Sequence, residues 1–537
     1  MNKTPYPDWV LSHKGKGVEI RHFKGRYYLY KISSFWDKEK QKTRKKTECL
    51  LGRILPEGLV DSKRRVSLSS LDNISVLEYG MSTYLYEQNA DILSSLIKHF
   101  PSNGSCLFTL ALLRLGYESP LKNMQFYYEH AYIKKLLPDI RIGKNQLSDL
   151  LKAVGNDRAS ISNCLQSLMG EASCLLVDQT HVLSLSEQMG CNRLGYNSQH
   201  DFAPQVNLLF LFSAEQKTPL YYRMLAGDIR ETTALKMTLY ESGLQDAIII
   251  GDKGFYSQTN RENLQQAGLD YILPLRRNHT LCDYSSIEQG DKKQFSGYFL
   301  FEDRVIWYKK QVKDGQNILL FLDERLKNQE EKDYLSRIET SENYAEIQNE
   351  ELNEGRAKDD NSDITIRHTD QEQADSKLDQ PANGDTNQAK DKQTKETNPT
   401  YSIEKFYEKQ HAMGTITITY ALKTPKSAEQ IFTCFKSRNE IETAFDVYKN
   451  VLNADKTYMQ GQAQMETWSF INFMALVMYY RIYKQLAAQK MLKNYTPKDI
   501  ILFLQHIKKI CINGEWVQAE LTKKTQKIIN LLRIEGS

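Results

Sequence analysis

The sequence predicts an α/β fold built on a mixed sheet, preceded by a small β-meander and a helical region. Three observations carry this. Between Gly17 and Ile54 the runs VEIRHF, RYYLYKISSF and KKTECLLGRI are rich in β-branched and aromatic residues, as strands are. Between Ser70 and Gly170, LDNISVLEYGMSTYLYEQ, DILSSLIKHF and SCLFTLALLRLG repeat apolar residues at the helical period. From Cys174 onward, LLVDQTHVLSL, PQVNLLFLF and PLYYRML read as three strands. A helix (Glu231–Ser242), a strand (AIIIGDKGFYS), a helix (Gln258–Ala267) and a strand (DYILPL) then alternate, the layout of a mixed sheet carrying helices.

Taken in order, four regions are expected. Residues 1–68 form a small basic β domain suited to DNA contact, with a first turn at Lys24-Gly25 and a second in the charged run Asp37–Lys42. Residues 69–170 form a helical region for DNA binding or dimerisation, broken at Ser102-Asn103-Gly104 and Glu118-Ser119-Pro120. Residues 171–278 and 421–537 form the catalytic core, its C-terminal part helical. Residues 279–420 form a β-rich insertion (YFLFEDRVIWYKK, NILLFLD) that contains an acidic segment, 328–400, expected to be mostly disordered.

Charge is distributed unevenly. The stretch His13–Arg65 carries 16 Lys and Arg against 6 Asp and Glu, and Asn328–Thr400 carries 9 against 19, so the body outside the acidic segment is strongly basic. Such a body points to a polyanionic partner. In the first region aromatic and basic residues interleave (His22, Phe23, Tyr27, Tyr28, Tyr30, Lys31), a composition suited to nucleic acid. No two of the eight cysteines stand at a C-x-x-C spacing, which argues against a zinc site and a disulfide framework. There is no Walker loop or Gly-x-Gly-x-x-Gly, so ATP-driven chemistry is unsupported. MNKTPYPDWV lacks an apolar core, and the longest apolar stretch, Trp468–Tyr480, is too short to span a bilayer. A cytoplasmic, nucleoid-associated protein without membrane contact is expected.

Three carboxylates stand out. Asp178 ends the apolar run Cys174-Leu175-Leu176-Val177, and Asp252 follows Ala247-Ile248-Ile249-Ile250-Gly251. A carboxylate ending a buried strand is costly unless solvated, paired or bound to a cation, and hard divalent ions prefer such oxygens. The third, Glu442, lies on a helix opened by the capping box Ser427-Ala428-Glu429-Gln430 and expected to run unbroken to about Leu452. At 100° per residue, Phe435, Arg438, Glu442, Phe445 and Lys449 share one stripe of that helix.

LLVDQTH, IIIGDKGFYS and SRNEIETAFDVYK, in this order, resemble the three acidic motifs of bacterial insertion-sequence transposases of the DDE type. The branch resembled is the one whose last motif reads Tyr-x2-Arg-x3-Glu-x6-Lys. Arg438, Glu442 and Lys449 match it; Phe435 replaces the tyrosine, so this position packs without donating a hydrogen bond to phosphate. LGYNSQHDFAPQVNLL and AGDIRETTAL add to the similarity, which covers about Ser173–Tyr480, interrupted by the acidic segment. The small leading domain is also similar.

The resemblance implies a ribonuclease H-like core with a β-rich insertion before the glutamate helix. It implies two Mg2+ ions, replaceable by Mn2+, on Asp178, Asp252 and Glu442, with Asp178 shared between them. It further implies hydrolysis at the element's terminal inverted repeats, attack of the released 3′-OH on target DNA, and a homodimer on DNA. Arg438 and Lys449 are then phosphate contacts, Lys253 and the Arg276-Arg277 pair further candidates, and Trp307 a candidate for stacking on an unpaired base. His181 is expected on the strand face opposite Asp178. The same three carboxylates also serve a metal-dependent nuclease without strand transfer, or persist in an inactive DNA-binding descendant.

Overall fold

The computed structural model describes residues 6–37, 41–61, 74–170, 173–197, 201–229, 231–244, 247–340 and 401–532. The chain divides into two compact units, one of residues 1–80 with 505–537 and one of residues 81–504.

In the first unit, β1 (Val18–Phe23), β2 (Arg26–Asp37), β3 (Lys42–Leu55) and β4 (Gly58–Asp61) form the expected antiparallel meander. Lys24 and Gly25 both take positive φ at the first turn, and the second turn lies outside the described residues. A small core of Val10, Leu29 and Ile54 closes one face. The other part of this unit corrects the expectation of a wholly helical C-terminus. Lys508–Ile512 and Glu515–Gln518 form a hairpin whose first strand pairs antiparallel with β5 (Ser75–Glu78). Residues 505–537 therefore cluster with the N-terminal unit and not with residues 81–504. Alternating KKICI and EWVQ, joined by a turn with positive φ at Asn513 and Gly514, supply the hairpin chemistry.

The second unit begins with helices from Gly80 to Leu168 and continues into one large mixed sheet. Its strands are β6 (Cys174–Ser184), β7 (Arg193–Tyr196), β8 (Phe202–Ser213), β9 (Thr218–Ala226), β10 (Ile248–Ile250), β11 (Asp270–Pro274), β12 (Gly297–Phe301), β13 (Arg304–Lys313), β14 (Gln316–Asp323) and β15 (Thr415–Ala421). The order is β12-β13-β14-β15-β11-β10-β6-β8-β7, with β9 on β8 and a short β16 (Lys456–Thr457) on β6. β15 pairs antiparallel with both β11 and β14, so the strands of the expected β-rich insertion continue the central sheet. Of the acidic segment, residues 328–340 lie in a helix that spans 324–340, and residues 341–400 lie outside the described residues.

The apolar stretch Trp468–Tyr480 lies in the helix Gln462–Ala488, buried nearly all round. Against it packs the helix Lys144–Gly155, so closely that a Cβ on Gly155 would collide with the Ala463 backbone. No helix among the described residues is long and apolar enough to cross a membrane. All eight cysteines are free.

Candidate active site

The central strands bring two of the carboxylates together by register. β6 and β10 are adjacent and parallel, with Leu176 opposite Ile250. Asp178 and Asp252 each follow that matched pair by two residues, so both emerge at the same level, one strand spacing apart. The turn after β10 is tight. Phe255 is fully buried and folds back so far that a Cβ on Gly251 would lie 2.7 Å from its side chain, and its N–H donates to the Asp252 carbonyl at 2.9 Å. This turn lifts Asp252 into solvent while its strand stays buried.

The third carboxylate arrives on a helix that is segmented where a continuous one is expected. Helix Ala428–Lys436 starts at the reciprocal capping box of Ser427 and Gln430. Tight turns through Ser437 and Arg438 follow, with Arg438 N–H bonding Phe435 O and Ile441 N–H bonding Arg438 O. The glutamate helix proper is Asn439–Asp446, and a π-turn, Val447–Val451, ends it. Ile441 and Ala444 are fully buried beneath it. Phe445 and Tyr448 pack edge-on against Phe210, the residue that pairs with Asp178 across β6 and β8.

All three carboxylates meet at one guanidinium. Arg438 Nη1 lies 3.3 Å from Asp178 Oδ2 and 3.9 Å from Asp252 Oδ1, and Nη2 lies 2.6 Å from Glu442 Oε1. Asp178 is the buried member, 14% exposed, against 44% for Asp252 and 52% for Glu442. Burial pushes its carboxyl up to about 6, against the opposing pull of the Gln179 N–H, 2.8 Å away, and of Arg438; the neighbouring carboxylates add to the rise. A cleft of about 270 Å³ opens beside the three, lined by Asp252, Lys253, Arg277, Phe435, Lys436 and Arg438. Lys253 also walls a second cavity of about 680 Å³, where Arg261, Arg276 and His279 face a single carboxylate, Asp314.

Two expected residues do not join this cluster. Lys449 sits within the π-turn, whose extra residue alters the phase assumed by a uniform 100° step. It lies instead near His181 and Asp455: burial lowers its affinity for a proton, and burial together with Lys449 pushes His181 down to about 4. Trp307 lies on β13, five strands along the sheet from β6, and packs with Phe295, Tyr298 and Lys292. Its indole N–H is buried without a hydrogen-bond partner among the described residues. Conversely, nothing in the sequence marks Arg261, which reaches the cationic cavity because the helix Gln258–Gln266 brings it beside Arg276.

The donor chemistry suits a hard divalent cation: three carboxylates from separate elements converge on one positive group, with no thiolate or imidazole among them. In the arrangement observed, Arg438 is that group, and among the described residues no three His, Cys, Asp or Glu side chains close directly on a metal-sized point.

Residues 170–478, more than half of the chain, match the family model described as the transposase DDE domain. Among solved structures the chain is similar to that of a piggyBac transposase synaptic complex with hairpin DNA, at 9% identity over 79% of each chain and a TM-score of 0.35, too distant for an argument about fold. No curated protein matches. The matched stretch contains Asp178, Asp252 and Glu442, and it makes the chain a member of the transposase DDE-domain family: a DNA transposase, which cleaves DNA and transfers strands in a family that works with divalent metal ions.

Proposed function

We propose that this transposase is of the bacterial insertion-sequence type, in the branch with the Tyr-Arg-Glu-Lys last motif although Phe435 stands at the tyrosine position, and that its large sheet is a ribonuclease H-like core. The single observation supporting the site assignment is the meeting of Asp178, Asp252 and Glu442 at one guanidinium. These three would hold two Mg2+ ions, or Mn2+, with Asp178 shared between the two. When bound, such ions sharpen the attacking oxygen and stabilise the leaving one in an in-line displacement at phosphorus.

The chain's own residues supply the rest. Asp178, on a strand packed on both sides, gives the site a rigid floor. Glu442, half exposed on a two-turn helix, sets its open wall. Arg438, the cation among these carboxylates, would take a DNA phosphate as a positioning contact without sequence information. Lys253 and Arg276, in the cationic cavity next to the site, guide the same strand. The exposed Lys42, Arg44, Lys45 and Lys46 along β3 give the N-terminal sheet a basic edge for DNA backbone. Lys449 takes a further DNA phosphate, and Trp307 stacks on an unpaired base only if the strand reaches β13. The substrates are the element's terminal inverted repeats and target DNA, engaged by a homodimer.

The test is strand cleavage on DNA carrying the element's own ends, with Mg2+, comparing wild type with Asp178→Asn and Glu442→Gln. Cleavage and joining by wild type alone support the assignment. Cleavage without joined products reduces it to a nuclease, and binding without cleavage by any of the three defeats it.

A further inference from the structure

Arg114 lies far from the acidic motifs in sequence and is 2% exposed, among the largest fully buried side chains. It projects from the helix Gly104–Tyr117, and its hydrogen bonds go to carbonyl and amide oxygens, none of them to a carboxylate. Its Nη2 donates to the carbonyl oxygens of Leu452 and, at 3.1 Å, of Asn453. Its Nη1 donates to Ser119 O at 2.8 Å and its Nε to Asn472 Oδ1 at 2.9 Å, and the guanidinium lies 4.7 Å from the centre of the Trp468 ring. Burial pushes it down to about 10.

The carbonyls it grips belong to the end of the glutamate helix. That helix finishes in the π-turn, and Asn453 then takes a left-handed conformation with φ of 47°. Carbonyls at a helix end lack intrahelical donors and carry the negative end of the macrodipole, so a buried forked cation matches both needs. The same elbow is tied to the strand that bears Asp178: Leu183 N–H donates to Asp455 O, and β16 pairs with Leu183 and Ser184. Arg114 thus anchors the point at which the helix carrying Glu442 rejoins the strand carrying Asp178.

Stability alone does not call for this arrangement. A desolvated cation with no carboxylate among its hydrogen-bond partners is expensive, and the nearby charge of Glu118 offsets only part of that; an apolar or amide side chain would fill the space at lower cost. What a planar fork adds is direction: Nη1 and Nε are fixed on Ser119 O and Asn472 Oδ1, so that Nη2 is aimed at the two carbonyls of the helix end. The glutamate helix has only two regular turns. A rotation of about 20° around its axis moves a carboxylate roughly 6 Å out by about 2 Å, and misplacement by about 1 Å costs roughly 100-fold in rate.

We infer that Arg114 is a positioning residue of the transposition reaction, clasping the end of the glutamate helix so that Glu442 meets Asp178 and Asp252. This rests on the assignment of those three carboxylates as the reacting centre. The test uses the full chain with Arg114→Lys, which keeps the charge and loses the fork, and Arg114→Met, which loses both. For each, backbone hydrogen exchange at 447–454, the dissociation constant for end DNA, and the single-turnover cleavage rate at saturating DNA are measured. For Arg114→Lys the expected result is faster exchange confined to 447–454, DNA affinity within about 2-fold of wild type, and cleavage slowed about 10- to 100-fold, with Arg114→Met slower still. Wild-type cleavage by Arg114→Lys, or losses of affinity and rate in proportion to a loss of folded protein, would overturn the inference. If wild type itself does not cleave, the carboxylate assignment has failed; unchanged exchange at 447–454 in Arg114→Lys rejects the clasp whatever the activity.

Discussion

Arg438 and Asp178 stand 260 residues apart in the chain, yet the arginine Nη1 lies 3.3 Å from the aspartate Oδ2. That contact neutralises part of a buried negative charge and draws Asp252 and Glu442 to the same point. Arg438→Gln leaves three carboxylates facing one another. In EDTA at neutral pH this variant is expected to lose about 1–3 kcal/mol, mostly through buried Asp178, because the pairs to half-exposed Asp252 and Glu442 are screened. Thermal unfolding with and without Mg2+ checks it: the metal should raise the melting temperature more in the variant than in wild type.

Asp178 also makes stability depend on pH. Its carboxyl is raised from an ordinary 3.8 to about 6, so the folded state holds the proton more tightly than the unfolded chain does. The associated stability is complete below about pH 4 and is lost as pH rises through about 6. Asp178→Asn removes this titration. In metal-free buffer the stability of the variant relative to wild type should therefore grow between pH 4 and 7, by about 2–3 kcal/mol at most. A difference that stays constant across that range contradicts the assignment of the shift to this residue.

Beneath the site, Phe210 is fully buried, with its ring centre 5.3 Å from Phe445, 5.5 Å from Tyr448 and 5.4 Å from Phe473. Phe210→Ala opens a cavity between the strand that pairs with β6 and the glutamate helix. A loss of about 3–5 kcal/mol is expected in urea unfolding, with a smaller loss for Phe210→Leu.

Lys253 and Arg276 line the cationic cavity beside the site. If both neutralise DNA phosphates, Lys253→Ala and Arg276→Ala should each reduce the slope of log binding constant against log salt by about 0.9. Fluorescence anisotropy on end DNA across a salt series measures this, and an unchanged slope removes the residue from the DNA path.

Much of this was legible in the sequence because it depends on near neighbours. The apolar runs before Asp178 and Asp252, the capping box at Ser427 and Gln430, and the positive-φ turn at Lys24-Gly25 are all settled within a few residues. So is the spacing of Arg438 and Glu442 by four residues, across which the two side chains form an ion pair.

Other features were not legible because they arise from partners distant in the chain. KKICI and EWVQ are short, and what commits Lys508–Ile512 to a strand is its pairing with Ser75–Glu78. The strands after residue 279 read as an insertion, and only the pairing of β15 with β11 merges them into the central sheet. Lys449 lines up with Glu442 under a uniform helical step, and the π-turn, gripped at its end by Arg114, changes that phase.

The sequence by itself determined which residues stand out as candidates for the chemistry: three carboxylates and an arginine, each in a local setting whose hydrophobic pattern and capping suffice to form it. Only the tertiary structure decided how they meet. Leu176 opposite Ile250 places two aspartates at one level, and Phe210 against Phe445 and Tyr448 seats the helix that brings Glu442. Strand register and helix seating are set by side-chain packing between segments far apart in the chain, and a periodicity read within one segment contains no record of it.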